Sequence, residues 1–142
     1  MLLVRHGEAV ASQVDDAHRY LTFKGRSDTA KLGARLHKLA IMPSQIVSSP
    51  LVRAVQTAEI LAHLLGFEGT VTTDAAFVPD GDAVLAAKRI AVSTGMTIVV
   101  CHEPIVRAIA AHLTGQASFP GFRTSGAALV EGTRVTLTLN PE

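Results

Sequence analysis

The chain has no tryptophan, one tyrosine and one cysteine among its 142 residues. A single thiol cannot close an internal disulfide, so the fold must rest on its core, and this usage fits a reducing compartment. Aromatic residues are too few to build base-stacking platforms. A formal net charge of +1 offers no broad basic face for nucleic acid. No apolar run approaches the ~20 residues of a membrane span. No charged segment followed by a cleavable apolar one is visible near residue 1, so no secretory leader is expected. These absences predict a cytoplasmic protein with neither nucleic-acid nor membrane partners.

What is present suffices for one substantial core. Hydrophobic residues make up 48% of the chain and charged residues 18%, at a length typical of one domain. Residues 1–142 are expected to form that domain. Residues 2–5, 45–48 and 97–101 read as strands, and 70–73 as a shorter one. Thr22 can cap a helix running to about Ala40, with Leu32, Leu36 and Leu39 on its inner face. Ser49 and Pro50 read as the N-cap and first position of a second helix, which carries Val55, Ala58, Leu61 and Leu65 inward and stops at Gly66. Asp82 can cap a third helix through about Ser93. A fourth, over 104–113, would bury Ile105, Ile109 and Leu113. Residues 127–130 and 134–139 flank Glu131-Gly132 as a closing hairpin. Strands alternating with helices predict an α/β fold: three α/β/α layers around a mostly parallel central sheet, with antiparallel pairing at one edge.

Three of these strands end on similar side chains. The first runs from Leu2 into Arg5-His6-Gly7-Glu8. The second leads through Ser48-Ser49-Pro50 into a helix with an early arginine, Arg53. The third ends on Cys101-His102-Glu103-Pro104. Ligands of open α/β sheets bind at the carboxyl ends of strands. Two arginines and two histidines gathered there suit a phosphate, because guanidinium forks make paired, charge-assisted bonds to phosphate oxygens.

The same residues resemble the histidine phosphatase, or phosphoglycerate mutase-like, superfamily. The likeness is strongest to its small SixA-type phosphohistidine phosphatases. Arg5-His6-Gly7 looks like the family's RHG signature. Leu21-Thr22 with Gly25, Ser48-Ser49-Pro50 with Arg53-Ala54 and Gln56-Thr57-Ala58-Glu59, and His102-Glu103-Pro104 resemble further blocks in the same order. Phe77-Val78-Pro79-Asp80-Gly81-Asp82 and Thr124-Ser125-Gly126 are weaker echoes. Cys101 stands where the family usually has glycine.

The resemblance implies a phosphoric-group hydrolase needing neither metal nor other cofactor. His6 would be the nucleophile, forming a covalent phosphohistidine that splits one hard step into two. Neighbouring arginine charge would keep its imidazole neutral and reactive. Arg5 and Arg53 would clamp the phosphoryl oxygens, and His102 would donate to one of them in the transition state. Arg19, Thr22, Ser48, Glu8 and Glu103 are further candidates for the site. A phosphate ester needs a general acid for its leaving alkoxide. Only Glu8, Asp15, Asp16 and Glu103 offer carboxylates near the motifs. Phosphohistidine leaves as an imidazole that can already carry a proton. The expected substrate is therefore a phosphohistidine-bearing protein. The alternatives are a small phosphorylated molecule and, in a different class, a non-catalytic phosphate-binding module.

Overall fold

The computed structural model describes residues 1–11, 15–91 and 95–141. Six strands form one sheet: β1 (Leu2–Arg5), β2 (Gln45–Ser48), β3 (Thr72–Thr73), β4 (Thr97–Cys101), β5 (Ala127–Glu131) and β6 (Arg134–Leu139). Their order is β3-β2-β4-β1-β5-β6. The first four are parallel, and β5 and β6 add antiparallel pairing beside β1.

Helices α1 (Phe23–Lys38), α2 (Val52–Leu64), α3 (Ala83–Ala91) and α4 (Ile105–Thr114) cover both faces of the sheet. The period-2 alternation of the strands divides the core. Leu2, Val4, Ile46, Ile98 and Val100 pack with Leu32 and Leu36 of α1 and with Ala54, Ala58 and Leu61 of α2. Leu3, Val99 and Cys101 point the other way, onto Ala86 and Ile90 of α3 and Ile105, Val106 and Ile109 of α4. β4 is covered on both faces, so all five of its residues are buried and apolar or β-branched.

The helix starts are where the sequence reading needs correction. Thr22 does cap α1, its Oγ1 accepting the Gly25 N–H at 2.9 Å. Asp82 Oδ1 likewise accepts the N–H groups of Val84 and Leu85 at 2.9 and 3.0 Å. Ser49 and Pro50, however, do not open α2. The Ser49 N–H donates to the Val100 carbonyl at 3.0 Å and prolongs the β2–β4 pairing. The helix begins at Val52 after Leu51, with no side-chain cap. At its inner face Ala54 replaces the expected Val55, which is only half-buried. Leu39 lies beyond the end of α1 and is exposed, because Ala40 turns the chain with φ 57°. The expected end of α3 near Ser93 lies outside the described residues. Gly115 ends α4 with φ 70°, a conformation that glycine adopts without strain. Among the described residues, no helix is long and apolar enough to cross a membrane.

The central position of β1 and β4 sets up the site. Arg5 pairs with Cys101 at the carboxyl ends of two adjacent parallel strands. The next residues, His6 and His102, are therefore neighbours.

Candidate active site

The His6 and His102 rings lie with centroids 4.9 Å apart and planes tilted by 56°. Both are buried, His6 to 8% exposure and His102 to 1%. The His6 backbone N–H donates to the Cys101 carbonyl at 3.0 Å, tying the two strand tips together. His6 Nδ1 lies 2.7 Å from the Gly7 carbonyl. A carbonyl only accepts, so Nδ1 carries the proton and Nε2 carries a free lone pair. Gly7 is itself immobilised, its N–H donating to Thr57 Oγ1 at 3.0 Å. A Cβ on Gly7 would sit 2.8 Å from Thr29 Oγ1 and 2.9 Å from the Gly25 carbonyl. His102 Nε2 shares a hydrogen bond with Ser49 Oγ at 2.7 Å, and its buried Nδ1 has no partner among the described residues.

Both imidazoles are held neutral. Burial lowers the His6 pKa to about 4, against the raising effect of the Gly7 carbonyl and with help from Arg53, Arg5 and Arg19. His102 falls to about 3 through burial, then through His6, Arg53 and Arg5, with Asp16 opposing. Removal from water is thus the larger cause, and arginine charge, the cause expected from sequence, is secondary.

Arg53 lies in the first turn of α2 and is 4% exposed. It is no surface helix arginine. Its Nη1 donates to the Asp16 carbonyl at 2.7 Å, and its Nη2 lies 3.4 Å from Asp16 Oδ2. Arg5 donates from Nη1 to the Phe122 carbonyl at 2.7 Å, while its buried Nε has no partner among the described residues. Arg19 reaches the same region. Its Nε donates to the Val10 carbonyl at 2.8 Å and its Nη1 to Asp16 Oδ1 at 3.1 Å. The charges of Arg53, Arg5 and Arg19 bear on His6, and those of Arg53 and Arg5 bear on His102.

The remaining candidates are bound into the scaffold. Thr22 Oγ1 caps α1 and lies 3.3 Å from Glu8 Oε1. The buried Ser48 hydroxyl donates to the Ser49 carbonyl at 2.7 Å. Glu103, which precedes a cis bond to Pro104, accepts the Phe122 N–H at 3.3 Å and lies 3.9 Å from Arg107 Nε. Gln56 Oε1 accepts the Leu21 N–H at 2.8 Å. Cys101 is buried, which pushes its thiol up to about 12, so it packs as a small hydrophobe. Among the described residues, no group of three or more His, Cys, Asp or Glu side chains is arranged to hold a metal ion.

Two contacts escaped sequence reasoning. Ser49 positions His102 instead of capping a helix. Asp16 bridges Arg53 and Arg19 from a short 3-10 turn over Asp16–His18. Partial burial would raise the Asp16 carboxyl, but the Arg19 hydrogen bond and Arg53 outweigh it and hold it below the usual carboxylate range.

Residues 1–78 match the model of the histidine phosphatase superfamily (branch 1). The chain belongs to the histidine phosphatase superfamily. Over 82 residues it is 34% identical to the serine/threonine-protein phosphatase Pgam5, mitochondrial, of Drosophila willistoni, and 38% identical to that of Drosophila yakuba. The matched stretch is 57% of this chain and spans only 28% of the length of either relative. The protein histidine phosphatase SixA complexed with tungstate superposes with a TM-score of 0.92 at 23% identity, covering 99% of this chain and 96% of that one. A mycobacterial glucosyl-3-phosphoglycerate phosphatase in complex with VO3 gives 0.71 at 18% identity, covering 100% and 99%. These likenesses establish a phosphoglycerate mutase-like α/β/α fold for this histidine phosphatase superfamily chain, with the parallel sheet and closing hairpin expected from its sequence.

Proposed function

We propose that this histidine phosphatase superfamily protein hydrolyses N-phosphorylated histidine on a protein, through a covalent phosphohistidine at His6 and without a metal ion. The carrying observation is the bond between His6 Nδ1 and the Gly7 carbonyl at 2.7 Å, which leaves Nε2 unprotonated within a cluster of arginines. Nε2 attacks phosphorus as the bond from phosphorus to the substrate nitrogen breaks, its electron pair returning to that nitrogen. Water then attacks the phosphoryl group. The Nε2–P bond breaks, the pair returns to His6, and dihydrogen phosphate leaves. Arg5, Arg53 and the His102 ring N–H stabilise the charge that develops on the phosphoryl oxygens.

The carboxylates favour a phosphoramidate. Glu8 meets Thr22, Asp15 pairs with His18, Asp16 lies between two arginines, and Glu103 is held by the Phe122 N–H. Arginine-held Asp16 is ionised and has no proton to give. A leaving imidazole that already carries its N–H needs none.

A second reading, hydrolysis of a small phosphate ester, draws support from the full-length fold likeness to the glucosyl-3-phosphoglycerate phosphatase. Turnover of a phosphohistidine peptide and of phenyl phosphate, each with and without a chelator, separates the two. The peptide is expected to be preferred, the chelator to have no effect, and phosphate label to be trapped on wild type but not on His6→Ala. Equal or faster ester hydrolysis would overturn the phosphohistidine assignment, and label retained in His6→Ala would overturn the nucleophile.

A further inference from the structure

Asp16 is joined directly to two arginines of the site, Arg53 and Arg19. Its carbonyl accepts from Arg53 Nη1 at 2.7 Å, its Oδ2 lies 3.4 Å from Arg53 Nη2, and its Oδ1 accepts from Arg19 Nη1 at 3.1 Å. The Arg53 side chain is 5% exposed and that of Asp16 is 65% exposed. The carboxylate is therefore exposed to solvent beside a buried guanidinium, and His6 and His102 are buried as well. Each carboxylate oxygen has about two acceptor positions. With one arginine bond apiece, both Asp16 oxygens can accept another. Arg53 has five N–H donors and spends two on Asp16, so donors remain for phosphoryl oxygens.

In-line displacement puts the leaving atom opposite the attacking one. A substrate arriving from solvent at the buried His6 has its leaving group on its solvent side, and the Asp16 carboxylate is likewise exposed. We propose that Asp16 is a specificity-determining residue: its carboxylate accepts a hydrogen bond from the N–H on the second ring nitrogen of a phosphorylated imidazole, selecting that leaving group over an alcohol. This inference rests on the phosphatase reading above. The P–N bond breaks with its pair returning to the substrate nitrogen. The N–H on the other nitrogen stays in place, and neutral imidazole leaves with no proton transferred. When an ester bond breaks, the pair goes to oxygen. The alkoxide that forms needs a proton, and a carboxylate held ionised by two guanidiniums cannot supply one. Its negative charge also opposes the charge growing on that oxygen. One carboxylate thus favours the first substrate and disfavours the second.

The test uses phosphoimidazole, its N-methylated form, which lacks the N–H, and phenyl phosphate. Each kcat/KM is divided by the rate of uncatalysed hydrolysis. In wild type, methylation is expected to lower the normalised kcat/KM about tenfold or more, as for loss of a charge-assisted hydrogen bond. In Asp16→Asn, the preference for phosphoimidazole over phenyl phosphate is expected to fall about tenfold, and the methylation effect to shrink, because the amide oxygen accepts without the help of charge. If both rates fall together and the preference is unchanged, Asp16 is only a prop for Arg53 and the proposal is overturned. Equal normalised rates for the methylated and unmethylated compounds in wild type would overturn it without any variant. Absence of phosphoryl label on wild-type His6 would overturn the phosphatase reading as well. Label on His6 together with a preference indifferent to Asp16 would overturn this inference alone.

Discussion

Ser49 Oγ and His102 Nε2 lie 2.7 Å apart, joining the segment that leads into α2 to the tip of β4. The Ser49 backbone is itself fixed by its bond to Val100, so the hydroxyl acts as a fixed stop for the ring. Ser49→Ala would leave both ring nitrogens of a buried histidine without a partner among the described residues. An unsatisfied buried polar atom costs about 1–3 kcal/mol, which a urea titration would register as a lower midpoint. A ring free to turn also misplaces its donor, and kcat/KM for phosphoimidazole should fall about 10-fold to 100-fold. Wild-type stability and rate in this variant would remove Ser49 from the site.

Arg53→Ala is expected to lower turnover about 100-fold or more, comparable to loss of an oxyanion donor. Arg53→Lys should recover little of it. A lysine carries the charge but lacks the planar fork that serves Asp16 and the phosphoryl oxygens together. Steady-state kinetics on both variants checks this, and near wild-type activity in either would refute the role.

Much of this was legible in the chain because the relevant signals are local. The β-branched runs at 45–48 and 97–101 coincide with β2 and β4, and the apolar run at 2–5 coincides with β1. Thr22 and Asp82 cap helices because a short polar side chain at that position reaches free N–H groups two or three residues on. The errors came where a long-range partner captured a local signal. Ser49 and Pro50 have the composition of a helix start, yet Ser49 is taken by Val100 and His102 from another strand. Leu39 has helical spacing but lies one residue past the end of α1, just before the turn at Ala40. Arg5 ends β1, His6 and His102 follow β1 and β4, and Arg53 lies in the first turn of α2, positions that the strand and helix signals in the sequence indicate. The link between Asp16 and Arg53 spans 37 residues and leaves no periodic trace.

Gly7→Ala tests how tightly the nucleophile is seated. The added methyl would meet Thr29 Oγ1 at 2.8 Å, the Gly25 carbonyl at 2.9 Å and Ser125 Oγ at 3.1 Å, all in packed surroundings. Overpacking of this kind costs about 1–3 kcal/mol. The relief available is to move the Gly7 backbone, which carries the carbonyl that holds His6 Nδ1. Stability in urea and the rate of His6 labelling should therefore fall together. A stable variant with unaltered labelling would show that the Gly7 carbonyl does not set the ring.

The two buried imidazoles should make stability depend on pH. Unfolded histidine takes up a proton near 6.5, whereas His6 and His102 in the folded protein do so near 4 and 3. Between these limits the unfolded chain binds more protons, so the stability to unfolding rises with pH. The contribution is complete above about pH 6.5 and is lost as pH falls toward about 4 for His6 and about 3 for His102. Below the folded-state values the native protein also protonates, and these two groups add no further slope. Carboxylates elsewhere act in the same direction at lower pH, so the comparison must be between variants. Urea midpoints at about pH 7 and about pH 4.5 should drop steeply in wild type and less steeply in His102→Gln, which has one titrating imidazole fewer. Parallel pH profiles for the two proteins would mean that His102 protonates as readily folded as unfolded, which its burial and its arginine neighbours forbid.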